Sequence, residues 1–322
     1  MKEKTKSNIL PDGLPSILPP SENGIFKAIL TLPEAYEALL SAVSAFLDRQ
    51  LKSVTLRNND PPSRDVSAKQ EEFDINCVVD GDDGDQCEVE MQASHMDGDN
   101  LGNEHRNIKW RSVFNLCDIH SNQSGSGKKY SSFSRSYQIM ICNYRMFNYK
   151  NELAERFTMR NARGEILCDA ITAIFIDLSQ AKEIAKKPVD DMTDIEKWTV
   201  FFALADKPRY GRIITEITNT MEGIAVASDT LLHISQNPDE RVRYHNRRKR
   251  MQDEEHKHAV WTDEVRAEYE PLLANKDAEI ANSKAEIASK DTEIASNKAA
   301  LAEKDELIAQ LLAKIKNSGE SQ

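Results

Sequence analysis

The chain has 322 residues and a formal net charge of −11. That balance excludes a surface dominated by phosphate attraction, which needs clustered Lys and Arg, so any nucleic-acid contact has to be local. No run approaches the length of a membrane span, and MKEKTKSNIL carries charge but no apolar signal-peptide stretch, so neither a membrane helix nor export is expected. Cys77, Cys87, Cys117, Cys142 and Cys168 form no Cys-x-x-Cys and read as reduced thiols of a cytoplasmic protein.

Residues 1–24 are polar, carry Pro11, Pro15, Pro19 and Pro20, and are expected to be disordered or loosely docked. Helical spacing begins with Phe26, Ile29 and Leu30. It resumes after Pro33 with Leu39, Leu40, Val43, Phe46, Leu47 and Leu51. Residues 53–70 read as an extended polar connection across Pro61 and Pro62.

The stretch EEFDINCVVDGDDGDQCEVEMQA, Glu71 to Ala93, holds two apolar runs, Phe73–Val79 and Cys87–Met91, around a turn of Asp and Gly. This is the pattern of a β-hairpin. Strand side chains alternate faces, so Glu88, Glu90 and Gln92 share one face and Val89 and Met91 the other. On the first strand Phe73, Ile75, Cys77 and Val79 form the apolar set, and Asp74 points away with Asn76. If Val79 pairs with Cys87, Asp74 lies opposite Gln92 and diagonal to Glu90, roughly 5–8 Å away. Two carboxylates that close repel unless a cation separates them, and a divalent ion with oxygen ligands is the usual remedy. The same alternation also fits the solvated face of a half-buried sheet.

Asp74, the acidic turn and Glu90-Met91-Gln92 resemble the core of the PD-(D/E)XK nuclease superfamily. They most resemble its transposase-like, recombination-promoting branch, where Glu-x-Gln replaces Glu-x-Lys. The resemblance implies an α/β fold with a restriction-endonuclease-like mixed β-sheet core flanked by helices. It also implies a metal-dependent DNA endonuclease associated with mobile elements or recombination. Carried over by position, Asp74 and Glu90 would hold Mg²⁺ or another divalent cation, and Gln92 would orient the attacking water. The Phe26-Lys27 pair resembles the family's opening segment, whose first helix often adds an acidic residue. Glu34 and Glu37 are the candidates, and either also fits an ordinary surface glutamate.

Beyond the hairpin, Asp97–Gly102 suggests a calcium loop, but Leu101 and Ile108 fall on two ligand positions and the pattern fails. From Asn103 to His120, the spacing of Trp110, Val113, Phe114 and Cys117 predicts an amphipathic helix. Arg106, Trp110 and Ser112 resemble the Arg–aromatic–small pattern of the family helix beside the active site. Arg106 would hold a DNA phosphate or pair with a site acid. Gly127 and Tyr130 occupy the place of the family's Gly-x-x-Tyr turn. Strands are expected over Tyr137–Cys142, Arg156–Asn161 and Ile171–Ser179, then a helix with Trp198, Phe201 and Phe202.

Ile213–Met251 reads as mostly helix and carries the densest basic run, including Arg247, Arg248 and Arg250. Such a run suits DNA contact in an acidic nuclease, and equally a solvated helix face. Leu273, Ile280, Ile287, Ile294, Leu301, Ile308 and Ile315 recur every seven residues, which predicts a coiled coil, the alternative being an isolated charged helix. The expected organisation is a nuclease-like domain over 25–205, a helical extension over 206–270 and a homo-oligomerising coiled coil over 271–318. The competing functional expectation is a catalytically inactive DNA- or protein-interaction module that oligomerises through this tail.

Overall fold

The computed structural model describes residues 17–57, 75–81, 84–92, 101–124, 129–147, 149 and 152–319, with some helix side chains excepted. Asp74, Phe73, Asp97 and Gly127 lie outside the described residues, as do most of the N-terminal segment and of the 53–70 connection. The chain divides into two compact units, Met1–Arg248 and Lys249–Gln322.

The first unit is built on a mixed sheet. Its strands are β1 (Val54–Leu56), β2 (Ile75–Val79), β3 (Asp85–Gln92), β4 (Ser136–Cys142), β5 (Ala154–Phe157) and β6 (Ile171–Asp177). Among the described residues they lie in the order β1-β2-β3-β4-β6-β5. β3, β4 and β6 run parallel, and the flanking pairs β1·β2, β2·β3 and β5·β6 are antiparallel. The helices are α1 (Asn23–Thr31), α2 (Tyr36–Leu47), α3 (Leu101–Ser121), α4 (Ala181–Ile184), α5 (Asp194–Leu204), α6 (Gly211–Thr220) and α7 (Glu222–Gln236). The 82-residue α8 (Pro238–Gly319) follows.

The period-two alternation of the strands sorts their side chains between two cores. Ile75, Cys77, Val79, Cys87, Val89, Met91, Ile139, Ile141, Ile174 and Ile176 face the larger one, with α1, α2, α4, α5, α6 and α7 packed over them. Trp198 of α5 stacks on Phe202 at 5.1 Å and donates its indole N–H to Ser41 Oγ of α2 at 3.3 Å. α7 approaches α2 so closely that a Cβ at Gly223 would lie 2.2 Å from Ser41 Cβ. The opposite face carries Met140, Cys142, Ala173 and Phe175 beneath Ile108 and Leu116 of α3. Leu18 is buried, and its N–H donates to Ser235 Oγ at 3.0 Å, so packing begins ahead of α1, within the segment expected to be disordered or loosely docked.

Three expectations are corrected. Val79 pairs with Asp85 rather than Cys87, a shift of two residues that keeps every side chain on its expected face but sets Asn76 across from Glu88. Asp85 joins the ladder because Arg49 Nη2 binds its carboxylate at 2.7 Å and the Arg135 N–H donates to it at 3.1 Å. Gly84 is compressed against the same ladder, since a Cβ there would stand 1.8 Å from the Val79 carbonyl oxygen. The strand expected over Arg156–Asn161 ends at Phe157, on the sheet edge. Beyond it the chain turns through Gly164, at φ 85°, with only an isolated bridge between Arg160 and Ile166.

The third correction is the face of α3. Trp110, Val113, Phe114 and Cys117 are exposed, Trp110 at 67 % and Phe114 at 61 %. The buried face is the less apolar one, Ile108, Ser112, Asn115, Leu116 and Ile119.

In α8 the heptad residues Leu273, Ile280, Ile287, Ile294, Leu301 and Ile308 are exposed along one continuous helix that passes through Pro271. No single helix among the described residues is long and apolar enough to cross a membrane.

Candidate active site

β3 places Glu88 and Glu90 two residues apart on the face under α3. Two strand residues advance about 6.6 Å and four helix residues about 6 Å, so a helix laid along β3 can meet both acids with residues four apart. α3 does this in the antiparallel sense: Arg111 forms an ion pair with Glu90, and Asn115 donates to Glu88. Farther along, His120 Nδ1 lies 3.0 Å from Ser136 Oγ at the start of β4.

The two acids differ in surroundings. Glu88 is fully buried, and its Oε1 accepts from Asn115 Nδ2 at 3.0 Å and from Gln138 Nε2 at 3.1 Å. It is therefore part of the packing between α3, β3 and β4, not the solvated residue that strand alternation allows. Glu90 lies at the margin of solvent, and its Oε1 accepts from Gln92 Nε2 at 2.6 Å and from the Arg111 guanidinium. Gln92, Cys142 and Asp177 end the parallel strands β3, β4 and β6 and pair across the sheet as neighbours. The site thus opens at the carboxyl ends of parallel strands, where α/β sheets place ligands. Burial pushes the Cys142 thiol well up, and the charges of Asp177 and Glu90 add to this, so the thiol is a neutral wall of the site.

Glu90 and Gln92 are brought into contact. Asp74 lies outside the described residues; Ile75, which follows it, pairs with Val89, the neighbour of Glu90. Glu34 and Glu37 are exposed, on the turn before α2 and its first turn, elements that pack over the face of the sheet opposite Glu90. The structure does not bring either to Glu90. Arg106 is exposed on α3, and the arginine that reaches the site acid is Arg111, five residues on. Arg248 is exposed and lies 3.3 Å from the Tyr244 hydroxyl; Arg250 is exposed in the second unit, and the Arg247 side chain is outside the description. Arg111, Glu88, Asn115 and Gln138 are the residues that sequence reasoning missed. The one signal for them was the i, i+4 spacing of Arg111 and Asn115, a polar pair matched to two acids.

Among the described residues no three His, Cys, Asp or Glu side chains stand together as a metal site. The oxygens at Glu90 are nonetheless of the kind a hard divalent cation takes, its carboxylate and the carbonyl oxygen of the Gln92 amide beside it, and the Arg111 guanidinium, which is no ligand, shows a positive charge held against the acid. No curated protein and no solved structure matches the chain. The model of the family described as PD-(D/E)XK nuclease family transposase matches residues 21–260, a span holding the whole sheet, α3 and the Glu90–Gln92–Arg111 cluster. With that match over well more than half its length, the chain belongs to the PD-(D/E)XK nuclease family transposases.

Proposed function

We propose that the chain is a metal-dependent endonuclease that hydrolyses DNA phosphodiester bonds, working in the cytoplasm on mobile-element or recombining DNA. The observation that carries this reading is the Glu90 carboxylate, largely buried near the carboxyl ends of the parallel strands, ion-paired to Arg111 and hydrogen-bonded to Gln92. Asp74 and Glu90 would hold Mg²⁺ or a similar ion. Bound there, the ion would polarise the scissile phosphate and lower the pKa of a water. Gln92 turns its amide nitrogen to Glu90, which leaves its carbonyl oxygen to accept from that water and orient it. Gln92 adds no positive charge where the wider superfamily has Lys, and Arg111 supplies one from α3. Arg106, Arg247, Arg248 and Arg250 are proposed as local phosphate contacts in an otherwise acidic chain. The accessory-acid role for Glu34 and Glu37 draws no support from their placement.

The exposed seven-residue stripe of α8 favours one addition and one rival. The addition is self-association of this helix as a coiled coil. The rival is an inactive DNA- or protein-interaction module in which that association is the function. Titrating Mg²⁺ into full-length protein with supercoiled plasmid separates them. Nicking that requires the ion supports the enzyme; binding with no nicking at any ion concentration supports the module and contradicts the enzyme.

A further inference from the structure

Glu90 is already neutralised by Arg111, so an arriving metal ion meets an occupied carboxylate. We infer that Arg111 is a resident counter-cation that the metal displaces, and that the released guanidinium becomes the group that grips the scissile phosphate. This inference rests on the nuclease reading above.

The geometry leaves little alternative to displacement. Glu90 Oε1 accepts from both Gln92 Nε2 and Arg111 Nη2, and an sp² oxygen has two lone pairs. An ion bound through Oε1 therefore needs one donor to leave. An ion bound through Oε2 of the same carboxylate would stand within a few ångströms of the guanidinium and repel it. Of the two donors, Arg111 is the one suited to go. It carries the like charge, whereas Gln92 is neutral and fixed on the same strand. Its side chain is 41 % exposed against 11 % for Glu90, so solvent is open to the departing group. Its backbone stays in place, because Asn115, one turn on, is tied to the buried Glu88. The motion is confined to one long side chain pivoting from α3.

A guanidinium released there remains beside the site, and its planar fork matches two phosphate oxygens. One residue would then link metal arrival to phosphate capture: Glu90 is charge-balanced by Arg111 without metal, and Arg111 is available to DNA only with it.

The test is calorimetric titration of Mn²⁺, standing in for Mg²⁺, into the full-length chain and its Glu90→Gln, Arg111→Gln and Arg111→Lys variants. Glu90→Gln should lose the binding. Arg111→Gln should bind about tenfold more tightly, since it removes both the competitor and a like charge, while Arg111→Lys stays nearer wild type. Plasmid cleavage by Arg111→Gln at saturating metal should fall, so affinity and rate move in opposite directions; a purely structural pair would not do that. Unchanged or weaker Mn²⁺ binding by a folded Arg111→Gln overturns displacement, and tighter binding with undiminished cleavage overturns the phosphate role. Should Arg111→Gln not fold, Mg²⁺ titration of the wild type followed by arginine side-chain NMR decides instead. An Arg111 Nε–H signal that shifts as metal binds supports displacement, and one that stays fixed overturns it. Metal binding by Glu90→Gln equal to wild type removes Glu90 from the site, and the nuclease reading fails together with this inference.

Discussion

Replacing Glu88 tests whether the buried acid holds α3 against the sheet. Its Oε1 accepts two amide N–H groups, from Asn115 on α3 and Gln138 on β4, and all three residues are buried. A buried amide N–H left without an acceptor costs about 1–3 kcal/mol. Glu88→Ala takes one acceptor from each amide and leaves a void, so a loss of about 3–6 kcal/mol is expected. Glu88→Gln keeps a carbonyl oxygen in place as the acceptor and exchanges only the second oxygen for an amide nitrogen, so it should lose roughly 1–2 kcal/mol. Urea unfolding of the full-length chain, read by near-ultraviolet circular dichroism, measures both, provided the denaturant slope is unchanged. A loss below about 0.5 kcal/mol for Glu88→Ala would refute the reasoning, since surface substitutions cost no more than that. So would a Gln variant as damaged as the Ala variant, because the amide contacts would then not be the cause.

The face assignment of α3 makes a second contrast. Trp110→Ser and Phe114→Ser should each change stability by less than about 0.5 kcal/mol, while Leu116→Ala should cost about 2–5 kcal/mol in the same unfolding measurement. A third expectation concerns pH. Burial holds the Asp206 carboxyl above its ordinary range, so the folded chain keeps that proton more tightly than the unfolded chain. Stability from this group is therefore present at low pH and is lost as pH rises from the ordinary carboxylate value through the raised one. Asp206→Asn should gain on wild type across that window and hold a constant advantage above it; thermal melting at stepped pH checks this. The tail supplies a fourth. Lys at both Ile287 and Ile294 puts charge into the exposed stripe, and sedimentation should then show a smaller assembly than the wild type; a wild type already monomeric at micromolar concentration contradicts the coiled coil.

The two faces of the hairpin were legible because strand alternation has a period of two, and that parity survived even though the register did not. The register depended on partners far along the chain. Asp85 reads as part of an acidic turn until Arg49 and the Arg135 backbone, 36 and 50 residues away, supply its contacts. The reading of α3 failed for a related reason. Periodicity picks the most apolar stripe, but a helix covering Glu88 and Glu90 has to turn a polar stripe inward, so Trp110 and Phe114 were assigned to the face that Ser112 and Asn115 occupy. Arg111 went unnoticed beside Arg106 on the same account. Glu90 and Gln92 were singled out by the resemblance of Glu90-Met91-Gln92 to a family core, and Glu88 looked like an ordinary solvated strand residue because burial is a property of what packs over it. The helix of the tail was legible throughout, since 82 residues of α8 need no distant partner to set their period.

The most direct test of the central claim is plasmid nicking by the wild type and by Glu90→Gln, side by side at saturating Mg²⁺ with a chelator control. The account expects nicking by the wild type that the chelator abolishes, and none by a folded Glu90→Gln. Equal nicking by the two proteins would contradict it.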